Sequence, residues 1–211
     1  MTEATSREAM IDAAERIIAE KGIASMTLKG VQLAANQGNK SAAKYHFGSR
    51  EGLLEAIVEA RMAPVNARRQ ELLDDMNRLG ALVTIRQAVE ALVRPLAAET
   101  LGRPGSRYAR FMVQALTDPA LADIMQKHMN GESYRRVHQL MVELSCAGHA
   151  SAVRRANNVV MLTMAALAAQ EGRVRTPEQT AEIVSDLVDS CAAVLGAPNS
   201  PAAPEPRGVT P

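Results

Sequence analysis

The chain has 211 residues, of which 47% are hydrophobic and 2% aromatic, and tryptophan is absent. That composition supports a globular core, whereas the scarcity of aromatic and β-branched residues beside abundant Ala, Leu, Met, Glu and Arg argues against an all-β fold. With 24 basic and 23 acidic residues the net charge is +1, so any nucleic-acid contact must come from a local patch.

The sequence predicts a cytoplasmic protein with no membrane partner. The first ten residues, MTEATSREAM, lack the basic and apolar regions of a signal peptide. The longest nearly uninterrupted apolar run, Val159 to Ala169, has 11 residues, and a membrane-spanning helix needs about 20. Two cysteines, Cys146 and Cys191, in a chain large enough to need no disulfides are typical of a reducing compartment.

The first helix is predicted from a capping box and an apolar stripe. Thr5 and Glu8 stand at the T-x-x-E spacing in which each side chain satisfies a backbone amide at the start of a helix. Gly22 supplies the left-handed conformation that ends a helix. The residues that form one apolar face between them are Met10, Ala13, Ala14, Ile17 and Ile18.

Two short helices follow, separated by a turn. Thr27 is predicted to cap the first of them, whose apolar pattern ends at Asn36. Asn39 is placed to cap the second, Lys40 to Phe47. Two helices of about two turns, joined by a turn of three or four residues, form a helix-turn-helix, here at about residues 28–47.

Helical patterns continue along the rest of the chain. A fourth helix is predicted to begin at Arg50 and to be kinked or ended by Pro64. The clearest later start is Thr176, where a T-x-x-Q capping box has proline in the first turn. The further predicted helices are Val65 to Arg78, Val83 to Thr100, Ser106 to Thr117, Pro119 to Ser145, Ser151 to Glu171 and Pro177 to Leu195.

These elements predict an all-α fold with two domains. An N-terminal domain at residues 6–62 carries the helix-turn-helix as part of a three-helix unit, and a C-terminal helical bundle occupies residues 63–196. Five of the ten prolines lie in residues 197–211, where large apolar side chains are almost absent. We therefore expect that tail to be disordered.

Positive charge coincides with the predicted helix-turn-helix. Residues 21–50 contain five basic residues and no acidic one, whereas residues 1–20 contain two bases and five acids. Neutralisation of phosphates supplies most non-specific affinity for DNA, and a helix in the major groove reads the edges of the bases. The charge pattern therefore indicates a DNA-binding domain.

The candidate DNA-binding face is the arc of the third helix that carries Lys40, Ser41, Lys44 and Tyr45. Residues on the opposite arc should pack on the first and fourth helices, and they are Ala42, Ala43, His46 and Phe47. Thr27 and Arg50 stand at helix N-termini, where backbone amides and the helix dipole favour a phosphate. The predicted DNA-binding residues are Thr27, Asn39, Lys40, Ser41, Lys44, Tyr45 and Arg50.

The run from Thr27 through Leu54, which closes with YHFGSREGLL, resembles the DNA-binding domain of the tetracycline-repressor (TetR) family of bacterial transcription regulators, over about residues 6–60. Members commonly carry Ala-Gly in the turn, where this chain has Ala35-Asn36, and asparagine can adopt the same left-handed geometry. The resemblance implies an all-α homodimer that binds a palindromic double-stranded DNA operator and releases it when a small-molecule effector enters the C-terminal domain. It places the effector pocket among the middle helices and the dimer interface on the last two.

Methionines in the middle helices are candidates to line that pocket, because flexible thioethers suit an adaptable cavity. The candidate pocket residues are Met76, Met112, Met125, Met129 and Met141. Four arginines are candidates to bind an acidic group on the ligand, although a solvated helix face explains them equally well, and they are Arg107, Arg110, Arg135 and Arg136.

The candidate dimer interface combines two apolar segments. The run at residues 159–169 is apolar on more than one face, which requires burial on both sides. Together with the stripe of the last helix it predicts a two-fold four-helix interface. Its candidate residues are Val160, Met164, Leu167, Val184, Leu187, Val188 and Cys191.

Other functions remain open at this point. An all-α enzyme needs a converging acid, base or nucleophile, and no such set stands out, so no catalytic residue is predicted. A non-specific DNA-binding protein usually carries a broader positive surface, and an activator role is as compatible with the sequence as a repressor role. No E-x-x-H pair occurs, and Cys146 and His149 lack a third ligand, so neither a metal nor a cofactor is expected.

Overall fold

Helices make up most of the part of the chain that the structure describes. The computed structural model describes residues 3–39, 41–80, 82–129 and 131–199, and within these ranges it contains no strand, which confirms the all-α prediction. The helices are α1 (Glu3–Lys21), α2 (Leu28–Ala34), α3 (Ala42–Phe47), α4 (Arg50–Leu79), α5 (Ile85–Thr100), α6 (Tyr108–Thr117), α7 (Ala122–Met129), α8 (Glu132–Leu144), α9 (His149–Gln170) and α10 (Pro177–Gly196). Short 3-10 turns lie at Ile23–Ser25 and Pro119–Leu121.

Several helix ends are where the sequence predicts them. The Thr27 hydroxyl accepts a hydrogen bond from the Gly30 amide at the start of α2. Thr176 and Gln179 form the predicted capping box of α10. Gly22 follows α1 with a φ of 85° and a ψ of 158°, a backbone conformation that favours glycine but is not the left-handed helical one predicted.

The predicted start of α1 is wrong. The helix already includes Glu3, so Thr5 lies inside it rather than at its cap. The Glu8 carboxylate accepts a hydrogen bond from Arg61 on α4 at 2.7 Å. A charge-assisted bond to a guanidinium outcompetes a bond to the helix's own backbone.

Pro64 does not end the fourth helix. α4 runs for 30 residues through it, so the predicted separate helix Val65 to Arg78 is part of α4. The predicted domain boundary at residues 62/63 therefore falls within one helix. Buried contacts on both sides of the proline, including Met62 and Val65, stabilise the helix against the loss of one backbone hydrogen bond.

The prediction of one helix from Pro119 to Ser145 is wrong. The segment is divided into the 3-10 turn at Pro119–Leu121, α7 and α8. Gly131 precedes α8 with an extended backbone, at φ −58° and ψ 138°. α7 packs on α4 and α6, and α8 packs on α4, α5 and α9. The break therefore lets α8 reach α5 and α9 while both helices stay against α4.

Most residues predicted for the dimer interface are buried within the single chain. Met164 and Leu167 on α9 are buried inside the chain, and so are Val184, Leu187, Val188 and Cys191 on α10. These side chains pack where α10 meets α5 and α9 of the same chain. An apolar stripe shows that a helix face is covered, but not whether the same chain or a second copy covers it.

Two helices connect the N-terminal unit to the rest of the fold. α4 belongs to both parts, and α6 packs against α1 as well as α9. The Gln114 amide of α6 donates to the Ile18 carbonyl of α1 at 2.9 Å.

Among the described helices, none has the length and apolarity needed to cross a membrane.

Candidate nucleic-acid interface

α3 is held by one buried face. Ala42 and Ala43 are buried, and the small side chains allow α3 to approach α1, α2 and α4 closely. Phe47 is buried at the end of the helix, and the Arg7 guanidinium of α1 lies 5.6 Å from its ring centroid. The packing arc predicted from the helical wheel is therefore the arc that faces the core, with His46 half-buried beside it.

The opposite face of α3 is open to solvent. Ser41 and Lys44 are exposed, and Tyr45 exposes 75% of its surface. The Tyr45 ring is oriented by an edge-to-face contact with His46, at 5.2 Å between ring centroids. Lys40, which the sequence predicts on the same arc, lies outside the described residues.

The turn between α2 and α3 is fixed by hydrogen bonds. Asn36 has a φ of 53°, the left-handed geometry expected of it in place of glycine. The Ser6 hydroxyl donates to the side chain of Gln37 at 2.6 Å, which ties the turn to α1. The Gln32 side chain donates to the Asn39 carbonyl at 2.9 Å. The turn therefore presents α3 in one orientation.

Asn39 organises the start of α3 without capping its first turn directly. Its side-chain oxygen accepts from the Ser41 amide at 2.9 Å, two residues on, and α3 begins at Ala42 rather than at Lys40. The predicted helix start is therefore two residues early. The Asn39 amide nitrogen donates no hydrogen bond to any described residue and stays available to a ligand.

Arg50 does not occupy the phosphate-binding position predicted for it. Its Nε donates to the Met26 carbonyl at 3.1 Å and its guanidinium donates to the Ile23 carbonyl at 2.7 Å. These bonds attach the 3-10 turn after α1 to the start of α4. Arg50 acts as a structural clamp, and a helix N-terminus alone did not reveal which way its side chain turns.

The basic residues around α3 keep their charges free. Over the described ranges, Lys21, Lys29 and Lys44 form no ion pair. Three acids of α1 are paired elsewhere, because Glu8, Asp12 and Glu15 all accept hydrogen bonds from Arg61. The positive charge of residues 21–50 therefore stays available to an anionic partner.

A cavity lies between α4, α5, α6, α7, α8 and α9. Three of the five predicted pocket methionines line it, Met112, Met125 and Met129. Met141 is buried in the core and Met76 is partly buried, and neither lines this cavity. The remaining lining residues are Met62, Arg69, Leu92, Leu96, Leu116, Tyr134, Val160 and Met164.

The arginines predicted to bind a ligand acid do not line this cavity. Arg107 donates to the Ser106 carbonyl, and Arg110 donates to the carbonyls of Ala168 and Glu171. Val160 and Met164, predicted for the dimer interface, face the cavity instead. In the part of the chain that the structure describes, no group of three or more metal-ligating side chains occurs.

Solved structures of similar shape come from bacterial regulators. PfmR, a TetR-family transcriptional regulator from Thermus thermophilus, has a TM-score of 0.57 and 15% identity over 92% of this chain and 98% of its own. A TetR transcriptional regulator from Legionella pneumophila has a TM-score of 0.52 and 16% identity, covering 87% of this chain and 95% of its own. NalD, the secondary repressor of the MexAB-OprM multidrug efflux pump in Pseudomonas aeruginosa, has a TM-score of 0.50 and 16% identity, covering 89% and 95%. The chain has the fold of the TetR-family regulators.

The TetR-type fold is what the YHFGSREGLL run predicts, and the shapes of these structures confirm it. The chain's sequence matches no protein-family model and no curated protein. At 15–16% identity the likeness covers the course of the chain, and the chemistry of the site has to be argued from this chain's own residues.

The junction between α3 and α4 lies at the predicted Gly48-Ser49 turn, but it has a cap and a close approach that the sequence prediction did not include. Gly48 turns the chain with a φ of 69°, and the Ser49 hydroxyl accepts from the Gly52 amide at 3.0 Å to cap α4. A Cβ at Gly52 would lie 2.1 Å from the Phe47 carbonyl oxygen. The S-x-x-G spacing was visible in the sequence, but the close approach of α3 to α4 was not.

Proposed function

We propose that the protein is a homodimeric transcription regulator that binds a palindromic DNA operator through α3 and releases it when a small molecule enters the cavity. The observation that carries this proposal is the two-sided character of α3. Its alanine and phenylalanine side chains are buried, while Ser41, Lys44 and Tyr45 face solvent in a stretch without acidic residues. A helix with that division is suited to the major groove.

The chemistry of the exposed residues supports two kinds of DNA contact. Lys44 can donate to base edges or phosphates from within the groove. Thr27 and Lys29 are exposed at the N-terminus of α2, where helix amides favour a phosphate. Tyr45 has a hydroxyl at the end of an exposed ring, and Asn39, Ser41 and Lys40 complete the proposed set. Arg50 is left out because its Nε and one terminal nitrogen donate to carbonyls inside the fold.

A second copy is proposed to pack on the exposed face of α9. Met161 and Leu162 are exposed there, and Ala165 and Ala169 continue the same face with small side chains. Small residues allow two helices to approach closely, and burial of the methionine and leucine supplies apolar area. This face replaces the buried stripe of α10 as the proposed dimer contact.

The effector is proposed to act through the cavity because α4 forms part of the cavity wall and also directly follows α3 in the chain. A ligand that binds one arrangement of α4 better than another shifts the population toward that arrangement. If the favoured arrangement places the two α3 helices at a spacing other than about 34 Å, they no longer fit successive major grooves. Operator affinity then falls although the contacts themselves are unchanged.

Binding to duplexes that tile the DNA upstream of the protein's own coding region tests the proposal, with a random duplex of equal length beside them. We expect one upstream duplex to bind more tightly, and Lys44→Ala to weaken it by about fivefold or more. Lys127→Ala is the matched control, because this exposed lysine lies on α7 and pairs only with Glu55, at 3.8 Å. Equal affinity for all duplexes would favour a non-specific DNA-binding protein, and turnover of a substrate without any DNA binding would favour an enzyme.

A further inference from the structure

Arg69 of α4 is an unusual residue to find in the wall of an apolar cavity. Only 1% of its surface is exposed, and it is among the largest fully buried side chains of the protein. Within the described ranges no carboxylate pairs with it. An isolated buried charge is strongly unfavourable unless an opposite charge or a set of hydrogen bonds compensates it.

The partners of Arg69 do not satisfy all of its hydrogen-bond donors. One terminal nitrogen donates to the Asn66 side chain at 2.7 Å, and the guanidinium lies 5.8 Å from the ring centroid of Tyr134. The Nε has no hydrogen-bond partner among the described residues. Burial lowers the pKa of Arg69 to about 10, so the guanidinium is still charged at neutral pH.

Two tyrosine hydroxyls near Arg69 are also unsatisfied. Tyr134 and Tyr108 are both buried, and neither hydroxyl finds a hydrogen-bond partner in the described part of the chain. Tyr134 lines the same cavity as Arg69. Buried polar atoms are nearly always paired in native structures, so these three groups together form a region that favours a polar ligand.

The remainder of the cavity wall is apolar and deformable. Apart from Arg69 and Tyr134, the lining consists of methionine, leucine and valine, with five methionines among them. The unfilled volume is about 40 Å³, which is room for only a few water molecules. Methionine has three rotatable side-chain bonds, so the walls can move aside for a larger apolar body.

We infer that the cavity binds a hydrophobic carboxylate, with its acid group paired to the Arg69 guanidinium, its second oxygen accepting from the Tyr134 hydroxyl, and its apolar body among the methionines. This inference deepens the proposed function, because it names the chemical class of the effector, and it rests on that function only for the effect on DNA. A carboxylate matches the planar array of guanidinium donors. The charge that is uncompensated in the empty protein becomes the source of selectivity for an acid.

Pairs of acids and amides of the same shape test the ligand class on the protein alone. Octanoate and phenylbutyrate are each compared with their amides by thermal unfolding and by calorimetry. We expect at least one acid to raise the melting temperature by about 5 °C at a hundredfold excess over its Kd, and its amide to bind at least about tenfold more weakly. Amides that bind as well as the acids, or acids that produce no shift, would overturn the inference.

The variant Arg69→Met separates ligand binding from a purely structural role. Because it replaces an uncompensated charge with an apolar side chain of similar reach, we expect the empty variant to melt at the same temperature as the wild type or higher. The same variant should lose the stabilisation by the acid. Arg68→Met is the matched control, since Arg68 is half exposed and pairs with Glu99 at 2.5 Å outside the cavity lining. A lower melting temperature of Arg69→Met with unchanged acid binding would contradict the inference.

Failure of the inference and failure of the proposed function are distinguishable. Acid binding is measured without DNA, so it stands or falls independently of operator binding. If an operator is found and the acids do not bind, the ligand class is wrong and the DNA-binding proposal survives. If the acids bind and no duplex is preferred, the cavity chemistry survives and the regulatory role does not.

Discussion

Arg61 of α4 donates from its Nε to Glu15 of α1 at 2.8 Å, and both side chains are almost completely buried. The second oxygen of Glu15 accepts from the Arg107 amide at 2.7 Å, at the start of α6. Arg61 also donates to Glu8 and Asp12. α1, α4 and α6 are therefore joined by one network of ion pairs and hydrogen bonds around the buried Arg61 and Glu15.

The Arg61→Met variant is expected to lose about 3 kcal/mol of unfolding free energy or more, because breaking a buried pair leaves Glu15 without its counter-charge. Burial alone would lower the pKa of Arg61, but the hydrogen bonds that Arg61 donates to Glu8 and Glu15 outweigh it and raise the pKa, so the charge persists at any ordinary pH. Urea denaturation at neutral pH measures the change. Arg78→Met serves as control because its pair with Asp75 is exposed, and it should change stability by less than about 0.5 kcal/mol. Equal effects of the two variants would contradict the prediction.

The Gly52→Ala variant should destabilise the protein by about 1–3 kcal/mol and weaken DNA binding, because the new methyl group collides with the Phe47 carbonyl and displaces the end of α3. In an unobstructed helix the same change would stabilise by about 1 kcal/mol. Chemical denaturation and duplex titration report the two effects. Gly38→Ala is a suitable control, since no atom lies within 4 Å of a Cβ there. A stabilised Gly52→Ala variant would show that α3 and α4 are farther apart.

The Thr27→Ala variant should weaken the preferred and the random duplex by the same factor, because a phosphate contact carries no base information. It should also lose about 1 kcal/mol of stability with the cap of α2. Thr27→Ser keeps the hydroxyl and should restore both properties. A loss confined to the preferred duplex would mean that Thr27 contacts a base.

The Leu162→Glu variant should convert the protein to a monomer, because it places a charge in the proposed apolar contact on α9. Operator affinity should fall by about 100-fold once the two half-sites are no longer bound together. Light scattering coupled to gel filtration measures the mass. Leu82→Glu is the matched control, at a leucine that is 96% exposed outside the helices. A wild-type monomer, or a variant that remains dimeric, would rule out this face.

The local signals of the sequence were sufficient for much of the fold. Capping residues and apolar periodicity predicted α2 and α10, and the wheel predicted which side of α3 is buried. These features depend on residues within one or two turns of each other, so they are readable without tertiary contacts. Asn36 is a case in point, because its left-handed backbone follows from its own side chain and the turn.

What the sequence did not predict depends on contacts between distant residues. From the sequence alone Pro64 predicts the end of a helix, and only the burial of Met62 and Val65 shows why the helix continues. Arg50 reads as a phosphate ligand until the carbonyl of Ile23, 27 positions away, is seen beside it. Arg69 stands among several arginines on α4, and nothing local distinguishes the buried one from the solvated Arg68. The cavity residue of most chemical interest was therefore invisible to pattern analysis.

α4 is a single rod of roughly 45 Å, from its 30 residues at about 1.5 Å each. The N-terminal end of α4 adjoins α3, and Arg69 lies about two thirds of the way along the helix. A tilt of about 5° moves one end of α4 by roughly 4 Å relative to the other. Pro64 removes a rung of the hydrogen-bond ladder between these two points. In the proposed mechanism, the bending stiffness of α4 at Pro64 therefore determines how far ligand binding in the cavity displaces α3.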